Sequence, residues 1–590
     1  MQATHTLLIA VTLLAGCASL HTGAPQKSAA PAAQPAAQTP ERGAEGADEE
    51  AAARARLPKL TLTPELLQRA LLAEIAARRG RLSEASELYL ELTRATRDPR
   101  IARRATEIAL HARRLETALA AARIWVEIEP DTPAARQAMI SLLAAAGRFD
   151  ELKVALPAWL AAEPKLLPNN LMRLNRLFAR AGDRKAVREV VELVTAPYLD
   201  FPEAHFARAQ AAFEAQDRAE ARLALQRALE LKPDWELAAL FRAQITENRV
   251  RAIEELGQFV AANPQAREAR LAYARALAND RRYDEARREF RALLEQGASD
   301  PAKNGDIIFA VAILSLQVGD TQEAEKHLRR LIDIRHPEAE RARYFLGQIA
   351  EDGKRWEAAR QWYQSVGRGE HYLPAQLKAA QMLAKQGKLE AARAALGKLE
   401  VDTPRERVQL VIGEAQLLRE AGRVADAHAV VVRALEREPD EPELLYEAAL
   451  LAERLGRLDE LESRLRRLIE IRPDHAHAYN ALGFSLADRN IRLPEARALI
   501  ERALELAPDD PFILDSHGWV LFRQGENEAA LKTLQRAYRL RADPEIAAHL
   551  GEVLWTLGRQ AEARETWEQA RQAYPANEVL SETIKRFLPH

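Results

Sequence analysis

Cysteine is nearly missing from these 590 residues: one stands at position 17, so no disulfide can form within the chain. Excess charge of one sign is missing as well. The net charge is −2, with 85 basic and 87 acidic side chains mixed along the chain, which removes the bulk electrostatic case for nucleic acid or an anionic membrane surface. The apolar run at residues 7–14 is far short of the roughly 20 residues a spanning helix requires. No Gly-x-Ser-x-Gly elbow and no His-Glu-x-x-His occurs. The stretch from Gly347 to Lys354 is one residue too long for a phosphate loop and lacks the Ser or Thr that should follow. Runs of β-branched residues are scarce, whereas Ala, Leu, Arg and Glu, all good helix formers, dominate. The expected fold class is all-α.

What is present is a repeat. Residues 478–486 read Ala-Tyr-Asn-Ala-Leu-Gly-Phe-Ser-Leu, and 512–521 and 545–554 are further copies of the same unit. Gly483, Gly518 and Gly551 lie 35 and 33 residues apart; each is followed by Ala496, Ala530 or Ala563, and then by Ala503, Ala537 or Ala570. Two helices can cross closely only where neither carries bulk, so glycine on one and alanine on the other mark the crossing of a helical hairpin. Together with closing prolines at 508 and 575, a period near 34 matches the tetratricopeptide repeat (TPR) pattern. Imperfect copies run back to Thr63-Pro64-Glu65, which reads as an N-cap followed by a helix start. Gly80, Gly147, Gly182, Gly319, Gly387, Gly422, Gly456, Gly525 and Gly558 fall at the turns inside successive hairpins, where positive φ ends the first helix. Alanines 85, 118, 221, 286, 324, 359, 392 and 427 fall at the crossings. The expectation is a TPR helical-hairpin solenoid, a right-handed superhelix of about fifteen repeats. The unit at 235–264 is short, with a tight turn at Thr246-Glu247-Asn248-Arg249.

The string Leu14-Ala15-Gly16-Cys17 resembles a bacterial lipobox, in which cleavage precedes the cysteine and lipid is attached to it. Multiple acyl chains on Cys17 would anchor the chain stably and leave no thiol nucleophile. Residues 1–6 contain no Lys or Arg, a departure from ordinary signal peptides. Ala18 and Ser19, with no aspartate after the cysteine, resemble lipoproteins sorted to the outer membrane of Gram-negative bacteria, which places the chain on its periplasmic face. The resulting division is 1–16 signal peptide, 17–57 lipidated Cys17 and an Ala/Pro/Gln tether, 58–234 N-terminal repeats, 235–473 central repeats, 474–575 well-matched C-terminal repeats and 576–590 a capping helix. Val579, Leu580, Ile584, Phe587 and Leu588 are expected to cover the end of the stack.

A search for chemistry points away from an enzyme. Asp515, Ser516 and His517 are consecutive, and consecutive helical residues diverge in direction, so they form no relay. His475 and His477 are poorly spaced for joint ligation on a helix, and neither metal nor cofactor is expected. In a TPR array the first helix of each hairpin lines a concave surface, and the residue after the consensus glycine faces inward. That places Phe484, Trp519 and Glu552 on the surface, Phe522 and Trp555 a turn further on, and Asn480 and Asp515 three residues before the glycine. Aromatic anchors beside polar groups suit a protein-binding groove. The same rings could instead pack between adjacent hairpins, and the sequence leaves both readings open.

The stretches 514–525 (Leu-Asp-Ser-His-Gly-Trp-Val-Leu-Phe-Arg-Gln-Gly) and 543–555 (Asp-Pro-Glu-Ile-Ala-Ala-His-Leu-Gly-Glu-Val-Leu-Trp) resemble the C-terminal signature of large TPR lipoproteins of Gram-negative outer membranes. Residues 71–76 and 95–102 resemble the same group. The best-understood members, the LbcA-like lipoproteins, are adaptors for a periplasmic carboxy-terminal processing protease, to which they bring substrates that include cell-wall cross-link hydrolases. The resemblance implies a non-catalytic scaffold with protein partners. The alternative is a structural assembly factor of an envelope machine, for exopolysaccharide export or outer-membrane assembly. Apolar faces of the terminal repeats also permit self-association.

Overall fold

Thr63 opens the first helix as the sequence implies: its hydroxyl accepts from the Leu66 amide, and Pro64, which needs no amide partner, stands at the first helical position. The same logic recurs at Thr403, whose hydroxyl and Glu406 form a reciprocal capping box, and at Asp510 and Asp543, which cap the last two full hairpins. The structure, a computed structural model, describes residues 57–162, 164–179, 181–297 and 304–588. Cys17 and the tether lie outside the described residues.

Among the described residues there are 31 α-helices and no strand. No described helix is long and apolar enough to cross a membrane. They form two compact units, one ending at Asp320 and the other beginning at Thr321. The first carries seven hairpins, from Pro64–Arg78 with Leu82–Thr96 to Arg267–Asn279 with Tyr283–Gln296, and then the helix Gly305–Gln317. The second opens with Thr321–Asp333 and continues through seven hairpins, the last being Pro544–Thr556 with Gln560–Ala573, to a closing helix, Glu578–Phe587. We call the first helix of each hairpin A and the second B.

The crossing alanines explain why the hairpins are tight. Ala85, Ala118, Ala221, Ala286, Ala324, Ala359, Ala392, Ala427, Ala496, Ala530 and Ala563 are all fully buried. On the partner helix, a Cβ added at Gly483 would lie 2.6 Å from Ile500 and 2.9 Å from the Ala496 carbonyl. At Gly518 it would lie 2.5 Å from Leu534, and at Gly551 2.1 Å from the Trp567 indole. These distances are inside van der Waals contact, so the axes approach as far as glycine allows.

Two expectations are corrected. Gly182 does not take positive φ, unlike the other eight turn glycines, and its surroundings are open. Conversely, Arg113, Gln216, Arg281 and Asn490 take the left-handed conformation at turns where the sequence shows no glycine, and at Gly353-Lys354 it is the lysine that does so. In the closing helix Leu580 is buried and Ile584, Phe587 and Leu588 pack on the last hairpin, but Val579 faces solvent, one residue out of the apolar stripe.

The short unit at 235–264 is held by charge. Its helices are Glu236–Ile245 and Arg249–Ala262, and Asn248 caps the second. Glu255, with a side chain 10% exposed, accepts from Arg222 at 2.6 Å and Arg251 at 3.3 Å, faces Arg242 at 3.4 Å, and takes the Thr246 hydroxyl at 3.1 Å. One carboxylate thus fastens the tight turn to the preceding B helix.

Candidate functional site

Three consecutive A helices, Ala476–Asp488, Pro511–Arg523 and Pro544–Thr556, bring together most of the residues singled out in the sequence. Their focus is His549, which the sequence did not single out. Its Nδ1 lies 3.0 and 2.9 Å from the two Asp515 carboxylate oxygens. Trp519 stacks on its ring with centroids 4.2 Å apart and planes 24° from parallel. Phe484 lies against it at 6.0 Å, and Phe522 follows Trp519 at 5.3 Å. Arg523 sits 5.8 Å over the Trp519 ring.

Burial pulls the His549 imidazole down, but the Asp515 carboxylate, by charge and by hydrogen bond, outweighs it and holds His549 above the ordinary histidine range. Its side chain is 14% exposed, so the imidazolium is enclosed between an acid and an indole face. Burial raises Glu552 above the ordinary carboxylate range against the opposing pull of Arg586, and burial raises Glu545 too.

Asp515, Ser516 and His517 diverge as their helical positions require. Asp515 turns to His549, Ser516 donates to the Phe512 carbonyl at 3.0 Å, and His517 lies 3.9 Å from Glu501 on the B helix, its pKa lowered by burial. Among the described residues, the side-chain hydrogen bonds of His549 are those to the two Asp515 oxygens. No group of three or more His, Cys, Asp or Glu that could hold a metal occurs among the described residues.

Asn480 and Trp519 differ from their neighbours. The Asn480 side-chain oxygen and the Trp519 indole nitrogen are buried and make no hydrogen bond. Trp519 is 5% exposed, whereas Asn480, Phe484 and Phe522 are half-buried. Trp555 is set apart from the group. It stacks with Trp567 at 5.9 Å and meets Phe587 of the closing helix at 5.9 Å, with Arg564 5.3 Å over its ring.

Charges on this run of A helices are matched from one repeat to the next. Arg419 reaches Glu447 at 3.2 Å, Glu453 pairs with Arg489 at 3.4 Å, Asp515 with His549, and Glu552 with Arg586 of the closing helix. His549 stands 34 residues from Asp515, one repeat on, and that spacing was its only signal in the sequence. The closing helix thus takes the place of a further A helix, carrying on both the ion pairing and the aromatic stack.

Stacked hairpins with an internally paired A face and an aromatic cluster define a helical-repeat scaffold for binding proteins. Tetratricopeptide repeat family profiles match residues 202–235, 247–301, 312–372, 412–460, 462–511 and 516–578. Together they cover just over half of the chain, and the chain belongs to the tetratricopeptide repeat proteins. Over 211 residues it is 36% identical to a TPR repeat-containing protein of Pseudomonas aeruginosa, a match covering 36% of each chain. The chain therefore matches little more than a third of that relative's length. Among solved structures, a thermophilic TPR protein of Thermus thermophilus is 23% identical, the match covering 31% of this chain and 99% of that one at a TM-score of 0.29. A tetratricopeptide repeat protein from Parabacteroides merdae is 15% identical over 48% of this chain and 97% of its own, at a TM-score of 0.32.

Proposed function

We propose that this chain is a non-catalytic, lipid-anchored scaffold on the periplasmic face of the outer membrane. It acts there as an adaptor that brings protein substrates, such as peptidoglycan hydrolases, to a carboxy-terminal processing protease. The protein-binding part of the reading rests on the A-helix face of the last repeats, where Asn480 and Trp519 hold buried polar atoms with no partner beside half-buried Phe484 and Phe522. Such atoms are costly to leave unsatisfied, and because both are closed to solvent, a bound polypeptide satisfies them only by shifting the side chains that cover them. Because Asp515, Glu552, Glu447 and Glu453 are already paired within the chain, shape and aromatic packing, rather than bulk charge, select the partner. The location is supported by Leu14-Ala15-Gly16-Cys17, and the protease partner by the likeness of 514–525 and 543–555 to LbcA-like lipoproteins.

An adaptor of this kind acts by effective concentration: protease and substrate held on one tethered scaffold meet far more often than they would free in solution. The test is a pull-down from detergent-solubilised envelope with the lipidated protein as bait, and mass spectrometry of what is retained. A carboxy-terminal processing protease recovered with peptidoglycan hydrolases supports the reading. Export or assembly subunits without a protease overturn it in favour of a structural assembly factor.

A further inference from the structure

The hairpin crossing that marks the last repeats recurs in three consecutive earlier hairpins of the second unit: Ala339–Asp352 with Trp356–Gln364, Tyr372–Lys385 with Leu389–Leu396, and Pro404–Glu420 with Val424–Leu435. Gly347 and Ala359, Ala380 and Ala392, and Ala415 and Ala427 are each twelve residues apart, as Gly518 and Ala530 are. The five alanines are buried, and a Cβ added at Gly347 would lie 2.5 Å from Tyr363. In the candidate site the residue after the crossing is Phe484 or Trp519. In these three A helices it is Gln348, Gln381 and Gln416. The count that places the aromatics therefore sets three half-buried glutamines in one row on the A-helix face, and Leu450, Phe484 and Trp519 continue that row into the candidate site.

The fold makes little use of these amides. Gln348 Oε1 is enclosed without a hydrogen bond, Gln381 makes none among the described residues, and Gln416 donates to Glu420 on its own helix at 2.9 Å. Each carboxamide carries both donors and an acceptor, and its rotatable bonds let it turn toward a bound chain.

The spacing of the row shows what fits it. Neighbouring A helices touch: Lys378 reaches Glu351 at 3.2 Å, and a Cβ added at Gly413 would run into Leu377. Helices in contact have axes about 8–10 Å apart. A polypeptide in the polyproline II conformation rises about 3.1 Å per residue with three residues per turn, so one side recurs about every 9 Å, and its peptide groups have no internal partners. A β-strand repeats about every 7 Å and falls out of step, and an α-helix has already bonded its own peptide groups.

We infer that Gln348, Gln381 and Gln416 bind the main chain of an extended partner segment in the polyproline II conformation, one amide to every third peptide group. The inference rests on the protein-binding part of the proposed function and names what is bound. At this row the partner is held by its backbone, and the aromatic face beyond it reads side chains.

The test is fluorescence anisotropy of the full chain in detergent with a fluorescein-labelled peptide of Ala-Pro-Ala repeats. The expected result is saturable binding that a helical Ala/Glu/Lys peptide of equal length does not show, and that Ser-Pro-Val repeats match within about threefold. Gln348→Ala, Gln381→Ala and Gln416→Ala each weaken it about three- to tenfold, and the triple variant abolishes it with thermal unfolding unchanged. Four results overturn the inference: no binding by the native chain; binding that the triple variant keeps; Ser-Pro-Val repeats differing by more than that threefold, which means side chains are read; or tighter binding on deletion of residues 18–56, which gives the row to the chain's own tether. The envelope pull-down separates this inference from the reading beneath it. Partners retained equally by the triple variant overturn the inference alone, whereas no protein retained by the native chain overturns the protein-binding reading itself.

Discussion

Replacing Gly483 by alanine sets two well-measured effects against each other. Gly483 lies inside the helix Ala476–Asp488, where alanine is favoured over glycine by about 1 kcal/mol. Against this, the new methyl would lie 2.6 Å from Ile500 Cγ1 and 2.9 Å from the Ala496 carbonyl oxygen. Ile500 is fully buried and cannot swing away, and a backbone carbonyl inside a helix cannot rotate at all. The B helix must move, and forcing extra volume into a packed core costs about 1–3 kcal/mol, at the upper end where backbone has to shift. The net is a loss of about 1–2 kcal/mol. Because each hairpin touches only its neighbours, the loss should be local. Hydrogen exchange of Leu493–Leu506 should therefore quicken about tenfold, while Pro99–His111 in the other unit is unchanged. Gly182→Ala is the control: with open surroundings and no positive φ, it should be neutral or stabilising by about 0.4–1 kcal/mol. Slower exchange in Leu493–Leu506 after Gly483→Ala would refute the reasoning, since propensity alone would then decide the outcome.

The raised pKa of His549 gives a pH dependence of definite sign. A proton held more tightly in the folded state stabilises fully below the ordinary histidine value, about 6.5, and is lost as pH rises through the raised one. Denaturant melts of the second unit should show lower stability over that rise, and His549→Gln should flatten the profile. Glu255→Gln removes the carboxylate that gathers Arg222, Arg242 and Arg251, and should cost about 2–4 kcal/mol, read as faster exchange in Glu236–Ile245 and Arg249–Ala262. Trp519→Ala, at a position 5% exposed, should cost about 3–5 kcal/mol and broaden the melt, which makes it a poor probe of binding. Asn480→Leu removes an unsatisfied buried oxygen; it should leave the free protein as stable or about 1 kcal/mol more so, and weaken capture of a partner that bonds there.

The fold was legible because a TPR hairpin writes its crossing into the sequence as small residues at a fixed period. Gly483, Gly518 and Gly551 with Ala496, Ala530 and Ala563 were visible without a structure because nothing larger fits at those points. The turns were less legible. Left-handed residues cost about 1–2 kcal/mol when they are not glycine, so glycine marks them in most hairpins, but Arg113, Gln216, Arg281 and Asn490 bear that cost within packed hairpins and leave no trace in composition. The short unit was read as a weak repeat because its Ala and Gly landmarks fade; its replacement, the network around Glu255, draws on Arg222 in the preceding hairpin and Arg242, Thr246 and Arg251 in its own.

The candidate site was only half legible for a related reason. Phe484, Trp519 and Asp515 could be placed on one face of their helices by counting from the glycine, since that count concerns a single helix. What each side chain touches depends on the neighbouring repeat, and there the copies differ: at the position of His549 the two preceding A helices carry Ala481 and Ser516. Only in the last full repeat does an imidazole reach back to Asp515 and lie under Trp519. The acid of one A helix finds its base on another at offsets that vary, 28 residues for Arg419 and Glu447, 36 for Glu453 and Arg489, and 34 for both Asp515 with His549 and Glu552 with Arg586. A face assembled from such unlike pairs cannot be read from a consensus. For the same reason the face differs from hairpin to hairpin.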